Sequence, residues 1–101
     1  MSTIYISEYV TIGVPGPEGS GFQAPKEPAI AEQNVSISGS PTASAAFQPT
    51  TRMVRIATDA TCSILFGPSP IANTGAKRLA ANQTEYFAVN AGDKVSVILN
   101  A

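Results

Sequence analysis

The sequence has no histidine and no tryptophan, a single cysteine, and only 13% charged residues. Each shortage removes a class of function. Without His the chain lacks the commonest general base and metal ligand near neutral pH, and Ser- or Cys-based nucleophilic catalysis loses its familiar partner. Cys62 alone cannot close an internal disulfide, which points to synthesis in a reducing cytoplasm. No run of eighteen apolar residues occurs, and "MSTIYISEYV" has neither a basic flank nor a continuous apolar stretch. Neither a membrane span nor a signal peptide is expected.

The few charges are unevenly placed. In residues 1–50 four acids stand against Lys26 alone, whereas in 51–101 five bases stand against three acids. Neither half has the basic density of a nucleic-acid binder, and so weakly charged a surface suits a protein packed against partners. At 101 residues one domain with one core is expected.

What is present is β pattern broken by turns. "TIYISEYVTI" places β-branched and aromatic residues at period two, a strand from about Thr3 to Ile12. It stops at "GVPGPEGSGFQAPKEPA", with four Gly and four Pro in seventeen residues. Proline withholds a ladder donor and fixes φ, so no regular element continues there. Alternation resumes at "AEQNVSISGS", and "TASAAFQPT" is a weaker strand candidate. "TRMVRIATD" and "TCSILFG" read as strands joined by a connection of hairpin length, with Cys62, Ile64 and Phe66 on one face. After the turn-rich "PSPIANTGAKR", "TEYFAV" and "KVSVIL" read as a final pair around "NAGD", where Gly92 supplies the positive φ of a tight turn. The helical alternative over "AKRLAANQTEYF" is disfavoured by its Asn-Gln-Thr centre.

Short strands at about ten-residue spacing predict an all-β fold, a small antiparallel sandwich or barrel of jelly-roll-like form. Residues 1–32 read as an extended Pro/Gly-rich N-terminal arm bearing one strand, and 33–101 as the compact β body. A body of that size gains from oligomerisation.

No motif carries chemistry. Cys62 on an apolar strand face reads as a buried structural thiol. The seven acids form no local pair or cluster. "GPEGSG" lacks the Lys-Ser/Thr ending and following helix of a phosphate loop. The expectation is a protein that is not an enzyme, with no catalytic residue, no cofactor and no metal.

The second half also carries a resemblance. "TTRMVRIATDATCSILFG", a Pro-rich loop and "RLAANQTEYFAVNAGDKVSVI", preceded by "QAPKEPAIAEQNVSI", resemble small structural proteins of tailed bacteriophages. Those proteins share an R-x-V-R-I strand, a Cys-containing hairpin ending in Phe-Gly, a loop, an Arg/Pro-Leu-Pro/Ala-Ala element, an E-Y-F segment and a closing G-D/H-K-V-x-V-I strand. The resemblance covers about residues 51–99. It implies a virion location, with the major capsid protein as partner: a capsid decoration (cement) protein at junctions between capsid subunits. A small head-tail or tail component, or a host- or glycan-binding β module on the virion, is the alternative. Self-association as a dimer or trimer is expected, with no nucleic acid and no membrane. Only three Tyr and no Trp leave few stacking platforms for sugars. Candidate interface residues are Ile4, Tyr5, Ile6, Tyr9 and Val10 of the arm, whose strand can add to an exposed sheet edge, and Arg52 and Arg55 of the charged strand face.

Overall fold

The computed structural model describes residues 2–10 and 27–100, together with the backbone pairing of 12–13 with 24–25. The described residues form ten strands: β1 (Thr3–Tyr9), β2 (Ile12–Gly13), β3 (Ala24–Pro25), β4 (Ala31–Ser36), β5 (Thr42–Ala43), β6 (Met53–Thr58), β7 (Cys62–Gly67), β8 (Lys77–Leu79), β9 (Thr84–Ala88) and β10 (Lys94–Leu99). Two antiparallel four-stranded sheets, ordered β4-β1-β6-β9 and β5-β10-β7-β8, pack face to face. The all-β sandwich read from the sequence is the observed fold.

Period-two alternation fills the space between the sheets. Ile4, Ile6, Val35, Val54 and Ile56 come from the first sheet and Cys62, Ile64, Leu79, Val95 and Val97 from the second; all are buried, and Phe47 and Ile37 join the same cluster. Full burial of each aliphatic side chain contributes about 1.5–3 kcal/mol, so this shared interior is what holds the sheets together.

The pairing is that of a jelly roll: one long antiparallel ribbon, β4 with β1, β5 with β10, β6 with β9 and β7 with β8, rolled so that β1 meets β6 and β10 meets β7. The strand that usually closes such a roll comes first here. The position joining β10 to β1 is instead occupied by the two ends of the described chain. Ile37 N donates to Ser2 O at 2.8 Å, and Leu99 N donates to the neighbouring Ser38 O at 2.8 Å, so the ends lie side by side. The chain is a circular permutation of the usual order.

That arrangement corrects several expectations. The strand assigned to an arm is an inner strand of the first sheet, hydrogen-bonded on both sides, so residues 1–32 and 33–101 do not divide the molecule. Its backbone groups are already paired and cannot extend another protein's sheet. Of the proposed arm, residues 1, 11, 14–23 and 26 lie outside the described residues. The two supposed hairpins are also not hairpins: β6 and β9 belong to the first sheet, β7 and β10 to the second, so 59–61 and 89–93 cross between sheets. A connection of three to five residues spans a sandwich edge as readily as a hairpin end. The predicted turn holds, with Gly92 at φ +81° and Asp93 N donating to Asn90 O. "AKRLAANQTEYF" forms β8, a turn with Asn82 at φ +65°, and β9.

Candidate functional site

Burial removes several candidates from the surface. Ile4 and Ile6 are 0% and 1% exposed and belong to this protein's own core, not to an interface. Tyr9 is also buried, its hydroxyl donating to Glu27 Oε2 at 2.7 Å, and Val10 is half-buried just beyond β1. Burial and the adjacent Glu27 carboxylate, which opposes a phenolate, push the Tyr9 pKa up to about 12. Cys62 is fully buried with its thiol pKa raised chiefly by that burial, the environment of an inert thiol.

Glu8 is a polar member of the interior that the sequence did not single out. It takes the next inward position after Ile4 and Ile6 and is 1% exposed. Its Oε1 accepts from Gln48 N at 2.9 Å and Thr51 Oγ1 at 2.7 Å, and its Oε2 accepts from Gln33 Nε2 at 3.3 Å. Gln33 Oε1 in turn accepts from Ala45 N at 3.0 Å. One carboxylate therefore ties the 44–51 segment to β1 and β4, with hydrogen bonds standing in for water. Its role is structural.

The remaining candidates lie on the surface, and Arg52 and Arg55 separate. They are three positions apart, so period-two alternation sends them to opposite sides; Arg55 sits on the outer face of β6 and Arg52 is exposed just before that strand. Strand register then gathers an unexpected group. Tyr5 pairs with Asn34 and Ala57, Ser7 with Glu32 and Arg55, and Arg55 with Tyr86, so all six of Tyr5, Ser7, Glu32, Asn34, Arg55 and Tyr86 share the outer face of the first sheet. Tyr5 and Tyr86 are each 51% exposed. Between β4 and β6, over Ser7, lies a shallow cavity of about 320 Å³ walled by Tyr5, Glu32, Asn34 and Arg55. Glu32 and Asn34 escaped the sequence reading because their neighbours on this face come from other strands.

The outer side of the second sheet differs in character. Leu65, 39% exposed, is the cross-strand partner of Ser96, and Ser96 Oγ accepts from Ala72 N at 3.0 Å. Asn100 Nδ2 donates to Ser63 Oγ at 2.7 Å and to Thr74 O at 3.2 Å. Residues 68–76 are thereby pinned across the sheet, and Ile71, beside the buried Ala72, projects from the pinned loop with 72% exposure.

Among the described residues no three His, Cys, Asp or Glu side chains gather as a metal site. No family model matches the chain, and no curated protein and no solved structure matches it.

Proposed function

We propose that the protein is a capsid decoration (cement) protein of a tailed bacteriophage, which binds the outer surface of the head where major capsid subunits meet and stabilises the mature shell. The resemblance over residues 51–99 supports the virion, and the low charge supports a life against protein surfaces. The observation that carries the docking step is Ile71: a large aliphatic side chain held out of the molecule at 72% exposure by a loop fixed through Ser96 and Asn100. A pre-ordered apolar knob loses little entropy on binding, which is how a small contact becomes useful when repeated by capsid symmetry. Leu65 extends the same apolar side, and this surface takes over the interface role first given to the N-terminal strand. Self-association as a dimer or trimer multiplies these contacts further.

The test is co-sedimentation with expanded capsids. Wild-type protein pellets with the shells in a copy number that scales with capsid subunits, whereas Ile71→Asp, which alters an exposed position, stays folded and remains in the supernatant. A copy number matching a neck or tail ring supports the head-tail component instead. Absence from both capsids and purified particles overturns the virion reading.

A further inference from the structure

We infer that the outer face of the first sheet binds a neutral oligosaccharide, with Tyr5 and Tyr86 as stacking platforms and Arg55, Glu32, Asn34 and Ser7 as its hydrogen-bonding set. The inference uses the face opposite Ile71 and does not rest on the capsid proposal.

Composition alone argues against sugar binding, since only three tyrosines occur. The fold changes that argument by placing all three on one side of the first sheet, with Tyr9 buried against Glu27 and Tyr5 and Tyr86 half-exposed in paired strands. Tyr offers a large, rigid contact surface at low entropic cost, and a half-exposed ring on a sheet face can take the apolar C–H face of a pyranose. Tyr86 lies directly across from Arg55, and Tyr5 lies one strand further and two residues along. Strand spacing and rise then put the two tyrosine Cα atoms roughly 12 Å apart, a separation suited to a short oligosaccharide rather than one ring.

The polar groups match hydroxyls in number and kind. Arg55 only donates, Glu32 only accepts, and Asn34 and Ser7 do both, whereas each sugar hydroxyl can donate and accept. Planar guanidinium and carboxylate groups each engage two neighbouring hydroxyls at once. Glu32 is fixed from below by Ser7 Oγ, which donates to its Oε2 at 3.4 Å. Arg55 stands against Glu32 and, at the rim beside Tyr9, Glu27, so the face carries no excess positive charge and favours a neutral sugar over a uronate or sialylated one. A phosphate-bearing chain meets a single cation beside a carboxylate, a poor electrostatic match. The cavity supplies the concavity that a small ligand needs, with a few convergent polar groups around it.

The experiment has two stages, using the full chain. An array of neutral and acidic glycans comes first, followed by amide-resolved NMR titration with cellotetraose, maltotetraose, chitotetraose and an oligogalacturonate. The expected result is saturable binding of a neutral tetrasaccharide in the millimolar range, with shifts centred on Tyr5, Ser7, Asn34, Arg55 and Tyr86. Tyr86→Ala and Tyr5→Ala each weaken it about tenfold or more while the remaining spectrum stays native, because loss of one stacked ring removes a main anchor. Arg78→Ala, on the outer face of the second sheet, leaves it unchanged. Silence across the array and the titrations overturns the inference. So does tighter binding of the acidic sugar, or a wild-type affinity in both tyrosine variants.

Discussion

Replacing Glu8 by Ala tests whether the interior carboxylate holds the 44–51 segment in place. Its loss strips an acceptor from Gln48 N, from the fully buried Thr51 hydroxyl and from Gln33 Nε2, which keeps Ala45 O as a second acceptor. Two donors are then left unpaired, at about 1–3 kcal/mol each, and a side-chain-sized void opens beside β1. Against this stands the desolvation cost that a buried carboxylate no longer incurs, which recovers part of the loss. The net destabilisation is about 3 kcal/mol, a large share of the roughly 5–15 kcal/mol that holds a domain together. Urea unfolding followed by far-UV circular dichroism reads it directly. With a slope of about 1.2 kcal/mol per molar for a chain of this size, the midpoint falls by about 2.5 M. Glu8→Gln falls between the two, because its carbonyl still serves Gln48 and Thr51 while its NH2 opposes that of Gln33. Gln33 cannot flip to relieve the clash without losing Ala45 N. A midpoint shift under about 0.5 M for Glu8→Ala would mean that the carboxylate's desolvation cost cancels its hydrogen bonds and that the network holds nothing.

Three further outcomes are expected. Adjacent positions on β1 separate by face: Ile6→Ala costs about 3 kcal/mol in urea unfolding and Tyr5→Ala less than about 0.5 kcal/mol, and equal effects contradict the register. Tyr9 holds its proton more tightly when folded, so its stabilisation is full below the unfolded pKa of 10 and disappears as pH rises toward 12. Alkaline unfolding therefore loses about 1 kcal/mol over that interval, discounted because the hydroxyl meets the exposed Glu27 at the rim, and Tyr9→Phe flattens the profile; an unchanged profile dismisses the Tyr9–Glu27 pair. Native Cys62 resists iodoacetamide and reacts only at the rate of opening, whereas alkylation at the speed of a free thiol contradicts its burial.

Fold class was legible in the sequence because alternation at period two reports one buried face whatever the partner strand is. Ile4 and Ile6, Val54 and Ile56, and Val95 and Val97 all point where their spacing says. Which strands pair was not legible, since 59–61 and 89–93 have the length of hairpin loops and the composition of turns, and only the competition for a shared core sends their strands to different sheets. The candidate surface was half legible. Tyr5 and Arg55 were singled out on separate grounds, but nothing local links either to Tyr86 or Glu32, which become neighbours through β1 pairing with β4 and β6 at once. Glu8 drew no reading of its own within the strand expected from Thr3 to Ile12. Its three partners sit 25 to 43 positions away, beyond any window of pattern analysis.

The permuted order explains why β1 looked detached. In a jelly roll the closing strand follows its ribbon neighbour through a short crossing; moved to the front, it must reach β4 through a long segment, here one rich in Pro and Gly that resembles a linker. Sequence proximity thus suggested an appendage where topology requires a central strand, flanked by β4 and β6. Once β1 is taken into the sheet it is not free to reach a partner, and the described residues of the sandwich offer its two outer faces instead. These are chemically unlike: tyrosine, guanidinium and carboxylate on one, aliphatic side chains on a pinned loop on the other. A sandwich with both inner faces spent on its core has two independent surfaces about 10 Å of packed side chains apart. Substitutions on one face therefore leave binding at the other intact, since sites that far apart with no shared contacts act additively.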